Sequence, residues 1–241
     1  MLDDVDVPRV YTDSEQLSGI TEEYVCWLDL MAVRGTMSRS LETSAITILN
    51  LHVAIDDALD RETMTHYPIM DGVYLTSENK WDMLNTLGDI FSKIAKDNIE
   101  NANTEYMYIP RASLSFGPIL HGKNIPEELN REFVGNSDYI ESILLGLPMI
   151  QAVENEPNAP PFGIYVDKSA RAFAPGDDDP IETPWHRWFR YIDEDADALG
   201  SELYDELSEY YKWCKSNSNY LEYPEEDIEK HKSMAEEYLT Q

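Results

Sequence analysis

Residues 24–31 read Tyr-Val-Cys-Trp-Leu-Asp-Leu-Met, an almost unbroken run of aromatic, branched and other apolar side chains. A run this short without polar alternation is a strand covered on both faces. The chain must therefore build layers on either side of a central sheet. Asp29 is the one charge in the run, and a carboxylate at such a place needs a counter-charge or a cation.

After Gly35-Thr36, the residues Leu41, Ala45, Ile48, His52, Ile55 and Leu59 recur at alternating steps of four and three. This spacing predicts a helix to about Asp60 with those residues on its core face and His52 packed among them. Two short runs, His66 to Met70 and Val73 to Thr76, flank Asp71-Gly72, a dipeptide that favours a two-residue hairpin turn. Ser77 is then placed to cap a second helix whose stripe is Trp81, Leu84, Leu87, Phe91 and Ile94. Tyr108 to Phe116 and Gly117 to His121 read as a strand pair broken at Gly117-Pro118, and Tyr139 to Leu145 as a further strand. A short helix after Gly146 carries Ile150 and Val153, ahead of a stop at Pro157 to Pro161 and a last strand, Phe162 to Val166. The order predicts an α+β, ferredoxin-like sandwich with helices over a mostly antiparallel sheet.

Beyond the linker Ala174 to Pro180 the composition turns rich in Trp and Tyr. Helical spacing at Leu203, Leu207, Tyr210 and Cys214 and a final helix around Glu225 to Tyr238 predict an acidic, aromatic extension over 176–241. It reads as an addition to the main domain, which an N-terminal segment, 1–21, precedes, and not as a second domain. Its residues Trp185, Trp188 and Trp213 are expected to pack, not to stack on bases.

Charge narrows the partners. Against 18 Lys and Arg stand 47 Asp and Glu, a formal net charge of -29, which repels nucleic acid and acidic lipid surfaces. An apolar content of 42% still supplies a core. The two cysteines, Cys26 and Cys214, have neither disulfide-framework nor metal-ligand spacing, and His66 and His121 have no partner at such spacing. The acidic start and the lack of any long uncharged apolar run lead to the expectation of a cytoplasmic protein with no membrane span. Acidity of this size also suits a high-salt habitat.

Asp29 and Asp71 lie 42 residues apart, one near a strand end and the other at a hairpin tip. Hard cations such as Mg²⁺ or Mn²⁺ are held by a few carboxylates plus substrate phosphates, so two such aspartates suit two ions on a triphosphate. Taken singly, Asp71 also fits an ordinary turn and Asp29 a helix cap. Val33, Arg34 and Gly35 lead into a helix start, which suits a phosphate, and Arg34 equally suits a plain surface. Arg111 reaches either a triphosphate or a neighbouring carboxylate.

In this order the motifs resemble the class III nucleotidyl cyclases. There the first strand ends in Asp-Ile-x-Gly-Phe and a later hairpin carries Gly-Asp; here the counterparts are Asp29-Leu-Met-Ala-Val33 and Met70-Asp71. Arg111-Ala-Ser-Leu-Ser-Phe-Gly117-Pro-Ile-Leu-His-Gly122 is similar to the family's fourth and fifth strands, and the likeness covers roughly residues 22 to 175. Gly146-Leu-Pro-Met-Ile-Gln-Ala-Val-Glu-Asn-Glu156 and Glu229-Lys-His-Lys232 resemble segments of the pyrimidine cyclases of Pycsar antiphage systems.

The resemblance implies two divalent cations, Mn²⁺ or Mg²⁺, held by Asp29, Asp71 and the Leu30 carbonyl. It also implies a homodimer with sites at its interface, metals from one chain and Tyr67 from the other. The product would be a cyclic nucleotide read by a separate effector in antiviral signalling. Tyr67 stands where purine cyclases carry Lys or Glu, which favours UTP, then CTP; cross-strand packing explains it equally. The family's transition-state Asn and Arg are missing, since that helix offers Gln151, Glu154 and Asn155. A catalytically silent dimeric sensor or scaffold, or a cytidylate or relaxed-specificity cyclase, is the alternative.

Overall fold

In a computed structural model of the chain, the apolar run becomes strand β1 (Ile20–Leu30), the middle of a sheet ordered β2-β3-β1-β4-β6-β7 with β5 on β4. The structure describes residues 18–37, 40–101, 104, 106–125, 137–172, 180–192 and 195–240. Most of the N-terminal segment and of the Ala174 to Pro180 linker lie outside them. After β1 come α1 (Val33–Met37), α2 (Leu41–Ala58), β2 (Thr65–Ile69), β3 (Gly72–Ser77), α3 (Lys80–Glu100) and β4 (Pro110–His121). These are followed by α4 (Ser137–Glu141), β5 (Leu144–Gly146), α5 (Leu147–Asn155), β6 (Ile164–Val166), α6 (Lys168–Ala172) and β7 (Trp185–His186). The last helices are α7 (Ala196–Ser216), α8 (Ser218–Leu221) and α9 (Glu225–Leu239). Among the described residues only β4 and β6 pair in parallel, so the α+β sandwich has the mostly antiparallel sheet expected of it.

Both faces of β1 are covered. Tyr24, Cys26, Leu28 and Leu30 enter the large core beneath α2 and α3, while Val25 joins a smaller cluster with Tyr67, Tyr74, Ile119 and Leu144. Trp27 packs at the edge of that cluster. This two-sided burial is why the run lacks alternation.

Several local expectations are corrected. The hairpin loop is Met70-Asp71, one residue earlier than Asp71-Gly72, because Ile69 pairs with Gly72 and Met70 takes the left-handed turn at φ 56°. A Cβ at Gly72 would stand 2.6 Å from the Trp27 ring, so that glycine serves a close crossing within the sheet. β4 is one strand, paired to β1 from Pro110 to Leu120, and does not break at Gly117-Pro118. Ala112 N donates to Gly163 O and Phe116 N to Ser169 Oγ, both away from β1; Pro118 has the same parity, so its missing N–H removes nothing from the β1 ladder. Tyr139 to Leu145 divides into α4 and the short β5, with only Leu144–Gly146 against β4.

Helix faces also differ. α2 buries Ser44, Leu51, Ala54 and Ile55, and leaves Leu41 exposed and His52 half-exposed, 3.4 Å from the Met70 carbonyl. The helix is apolar nearly all round, so periodicity alone does not select its inner face. α3 is capped by Asn79, which accepts from Trp81 N and Asp82 N; Ser77 instead donates to Thr63 O, and Trp81 stands outside the core. On α5 the buried residues are Pro148 and Ala152, with Ile150 and Val153 exposed.

The tail closes the large core. β7 extends the sheet beyond β6, and Trp188, Phe189, Leu203, Leu207, Tyr210 and Cys214 join the cluster that holds Tyr24 and Leu28. α7 and α9 cross tightly, since a Cβ on Gly200 would lie 2.6 Å from the Leu239 carbonyl. Trp188 is core packing as expected, whereas Trp185 and Trp213 are only partly buried against it. Cys26 and Cys214 are buried and free. Among the described residues, no helix is long and apolar enough to cross a membrane.

Candidate active site

Along β1 the side chains alternate, so Asp29 shares a face with Val25 and Trp27, away from the large core. Its partner across the ladder is Arg111 on β4, on the same face. Leu28 pairs with Val73, which brings the Met70-Asp71 tip of the β2-β3 hairpin alongside the end of β1. The sheet thus draws the two aspartates together from distant parts of the sequence.

The electrostatics register this proximity. Burial, then the negative charge of Asp71, then that of Glu156, push the Asp29 carboxyl up to about 7 against the opposing pull of Leu30 N–H and Arg111. Leu30 N donates to Asp29 Oδ1 at 2.8 Å. Folded Asp29 keeps its proton to about pH 7 while an unfolded aspartate loses it near 3.8. Between those values the folded state holds more protons, so the stability of metal-free protein falls as pH rises from about 4 to 7. Urea midpoints measured in chelator at pH 5 and pH 8 should decrease, and Asp71→Ala should shrink the difference.

Arg111 takes the carboxylate-pairing alternative. Its guanidinium grips buried Glu156 through Nε and through Nη2, the latter at 3.1 Å from Oε2. Burial raises the Glu156 carboxyl and the Arg111 charge opposes that rise. Glu156, the last residue of the Gly146–Glu156 segment, thus joins the candidate site through Arg111.

Next to Arg111 is a pocket of about 260 Å³ whose walls include Met31, Ala32, Gly35, Tyr223 and His231. Ala32 adopts φ 61° at the turn from β1 into α1, where the family motif has glycine. Val33 is buried, and Arg34 follows it in α1, its side chain lying outside the described residues. Gly35 meets the Leu221 carbonyl, where a Cβ would stand 2.3 Å from the oxygen, so α8 backs α1 directly. The tail then places Tyr223 Oη 2.5 Å from His231 Nδ1. Burial, then Arg111, lower His231 to about 4, so its ring is neutral at pH 7. Helical periodicity marked the tail but gave no sign that Tyr223 and His231 would reach Arg111.

Tyr67 is on the same face but farther along it. It pairs with Tyr74, is buried, and its hydroxyl lies 2.5 Å from His121 Nδ1. His121 Nε2 is 2.9 Å from Glu23 Oε1, which also accepts from the Thr21 hydroxyl at 2.6 Å. Burial acts to raise Glu23, yet the bonds from His121 and Thr21 prevail and hold it below the usual glutamate value. By register Tyr67 pairs with Tyr74, and Tyr74 with Trp27, two residues before Asp29, while the Tyr67 hydroxyl is engaged with His121. Gln151 is half-buried in α5, which crosses β4 and β1 on this face, and Asn155 is engaged with Asp167 Oδ2 at 3.2 Å.

Among the described residues, no group of three or more His, Cys, Asp or Glu is placed to hold a metal ion by itself. The Asp29–Asp71 repulsion nonetheless suits a hard cation that shares its remaining ligands with substrate oxygens.

No protein-family model matches the chain, and no curated protein matches it. Among solved structures it is similar to a bacterial light-regulated adenylyl cyclase, at 13% identity and TM-score 0.52 over 67% of this chain and 47% of that one. It thus spans about half the length of that protein. It is also similar to the monomeric guanylyl cyclase domain of the RhoGC fusion protein from the aquatic fungus Blastocladiella emersonii, at 16% identity and TM-score 0.48 over 64% and 84% of the two chains. The fold is that of a class III cyclase domain, with the sheet and covering helices described above.

Proposed function

We propose that this chain is a nucleotidyl cyclase that converts UTP, with CTP the second candidate, to its 3′,5′-cyclic monophosphate and pyrophosphate. The observation that carries the reading is the meeting of Asp29 and Asp71 at one end of a cyclase-type sheet, close enough for the Asp71 charge to lift the Asp29 carboxyl. Asp29, Asp71 and the Leu30 carbonyl would hold two divalent cations, Mn²⁺ or Mg²⁺. Such ions make the ribose 3′-hydroxyl more acidic and neutralise the leaving pyrophosphate. Asp29 must give up its proton to take this part, which couples substrate-metal binding to pH. The turn through Ala32 and the backbone of Val33 and Arg34 would border the triphosphate, with Arg111 and His231 lining the same pocket.

The shared sheet face of Asp29, Arg111 and Tyr67 supports a homodimer in which Tyr67 of one copy faces the aspartates of the other. Leu147, Ile150 and Val153 stand exposed on α5 beside that face, as an interface between copies requires. The Tyr67 hydroxyl, hydrogen-bonded to His121 Nδ1, is the group offered to the edge of a small base. The likeness to Pycsar cyclases supports a signalling role, in which an effector protein reads the cyclic product during antiviral defence.

Incubating the protein with an equimolar mixture of the four ribonucleoside triphosphates and Mn²⁺, then weighing the products by mass spectrometry, tests substrate choice. Cyclic UMP should dominate, and Tyr67→Phe should lower that preference by about tenfold, the effect of one lost hydrogen bond. A dominant cyclic purine product would overturn the base assignment. A second reading, a silent nucleotide-binding scaffold, is favoured by the commitment of Arg111 to Glu156 and the absence of arginine from α5. Nucleotide binding without any cyclic product would establish it.

A further inference from the structure

A chain of hydrogen bonds crosses the sheet face where Val25, Tyr74, Ile119 and Leu144 form an apolar cluster. In the sheet, β3 and β1 lie between β2, which carries Tyr67, and β4, which ends at His121. The two side chains meet by lying across those strands, with the Tyr67 hydroxyl 2.5 Å from His121 Nδ1 and the rings 5.9 Å apart at 24°. On the other side of the imidazole, Nε2 is 2.9 Å from Glu23 Oε1, and Thr21 Oγ1 donates to the same oxygen at 2.6 Å. His121 is 2% exposed and Glu23 6%. Burying a carboxylate beside an imidazole opposes folding, and apolar side chains of similar volume would fill the place at least as stably. Their presence points to a role for the group at the end of the chain, Tyr67.

We propose that Glu23 and His121 are positioning residues for base selection, holding the Tyr67 hydroxyl in one orientation, given the base-reading role proposed for Tyr67. A free phenol hydroxyl rotates about its C–O bond and both donates and accepts, so it suits several base edges. One bonded to a fixed imidazole keeps a single direction. Glu23 supplies the fixing: it faces Nε2, which turns Nδ1 to Tyr67, and Thr21 in turn holds the carboxylate. The pairing edges of uracil and cytosine carry their donors and acceptors in opposite places, so a hydroxyl of fixed direction leaves the wrong base unpaired. Removing the relay should therefore relax the choice of base.

A double-mutant cycle in the full chain tests this, read as the ratio of kcat/KM for UTP to that for CTP with Mn²⁺. Glu23→Gln with His121→Phe removes the relay and leaves no lone carboxylate buried. This pair should lower the ratio about tenfold, as Tyr67→Phe does, and the two combined should lower it no further, because both act through one hydroxyl. Glu23→Gln alone, of the same shape, should lower the ratio about threefold and carries the test if the pair does not fold. Equal losses for UTP and CTP, the mark of a merely structural role, or additive effects of the relay and Tyr67 variants would each overturn the proposal. Calorimetric titration with UTP and with CTP in Ca²⁺ separates its failure from that of the cyclase reading. A UTP preference in binding that the relay pair abolishes, with no cyclic product from wild type, would sustain the positioning role and overturn the cyclase reading. Cyclic UMP formed with a base preference indifferent to the relay would overturn the positioning role alone.

Discussion

Asp71→Ala is expected to lower nucleotide turnover by at least about three orders of magnitude, because the account gives this carboxylate a metal-binding role that nothing nearby can replace. The same substitution should raise the urea midpoint of metal-free protein at pH 8. Its charge is the second largest influence lifting Asp29, and removing it relieves a repulsion between two carboxylates. Opposite signs for activity and stability separate a functional carboxylate from a structural turn residue, whose loss would lower both. Activity within tenfold of wild type would remove Asp71 from the site.

Trp188→Ala should cost about 3–5 kcal/mol of stability, the range for deleting a large buried aromatic ring. Trp188 is 1% exposed; its Nε1–H donates to Phe162 O at 2.7 Å, and its ring meets Phe91 at 5.8 Å and Phe189 at 5.6 Å. It therefore joins the helix layer, the strand β6 region and the tail at one point. Trp188→Phe keeps most of the packing but strands the Phe162 carbonyl, and should cost about 1–3 kcal/mol. Unfolding should remain a single transition when followed by tryptophan fluorescence and by far-ultraviolet dichroism. Two separate transitions, or a loss below about 1 kcal/mol for the alanine variant, would show that the tail is energetically detached.

The central strand, the hairpin, both long helices and the two tail helices were legible because each rests on local apolar patterning and turn residues. Asp29 and Asp71 could be singled out for the same reason, as charges in apolar surroundings. What local pattern did not carry is choice among equivalent faces and contact across long separations. α2 has apolar residues on almost every side, so its inner face follows from packing against α3 and the sheet. Gly117-Pro118 resembles a break, yet the proline nitrogen points away from β1 and the strand continues. The pairing of Arg111 with Glu156, and the approach of Tyr223 and His231 to Arg111, join residues 45 to 120 positions apart in the sequence. His121 had no partner by spacing and gained two, Tyr67 and Glu23, only when four strands aligned.

The most direct test of the account is a single-turnover reaction of the full chain with UTP and Mn²⁺, following cyclic UMP and pyrophosphate together in wild type and in Asp29→Ala. Wild type should give equal amounts of the two products and the variant neither, with both proteins folded. UTP bound by a folded wild-type protein without release of either product would contradict it.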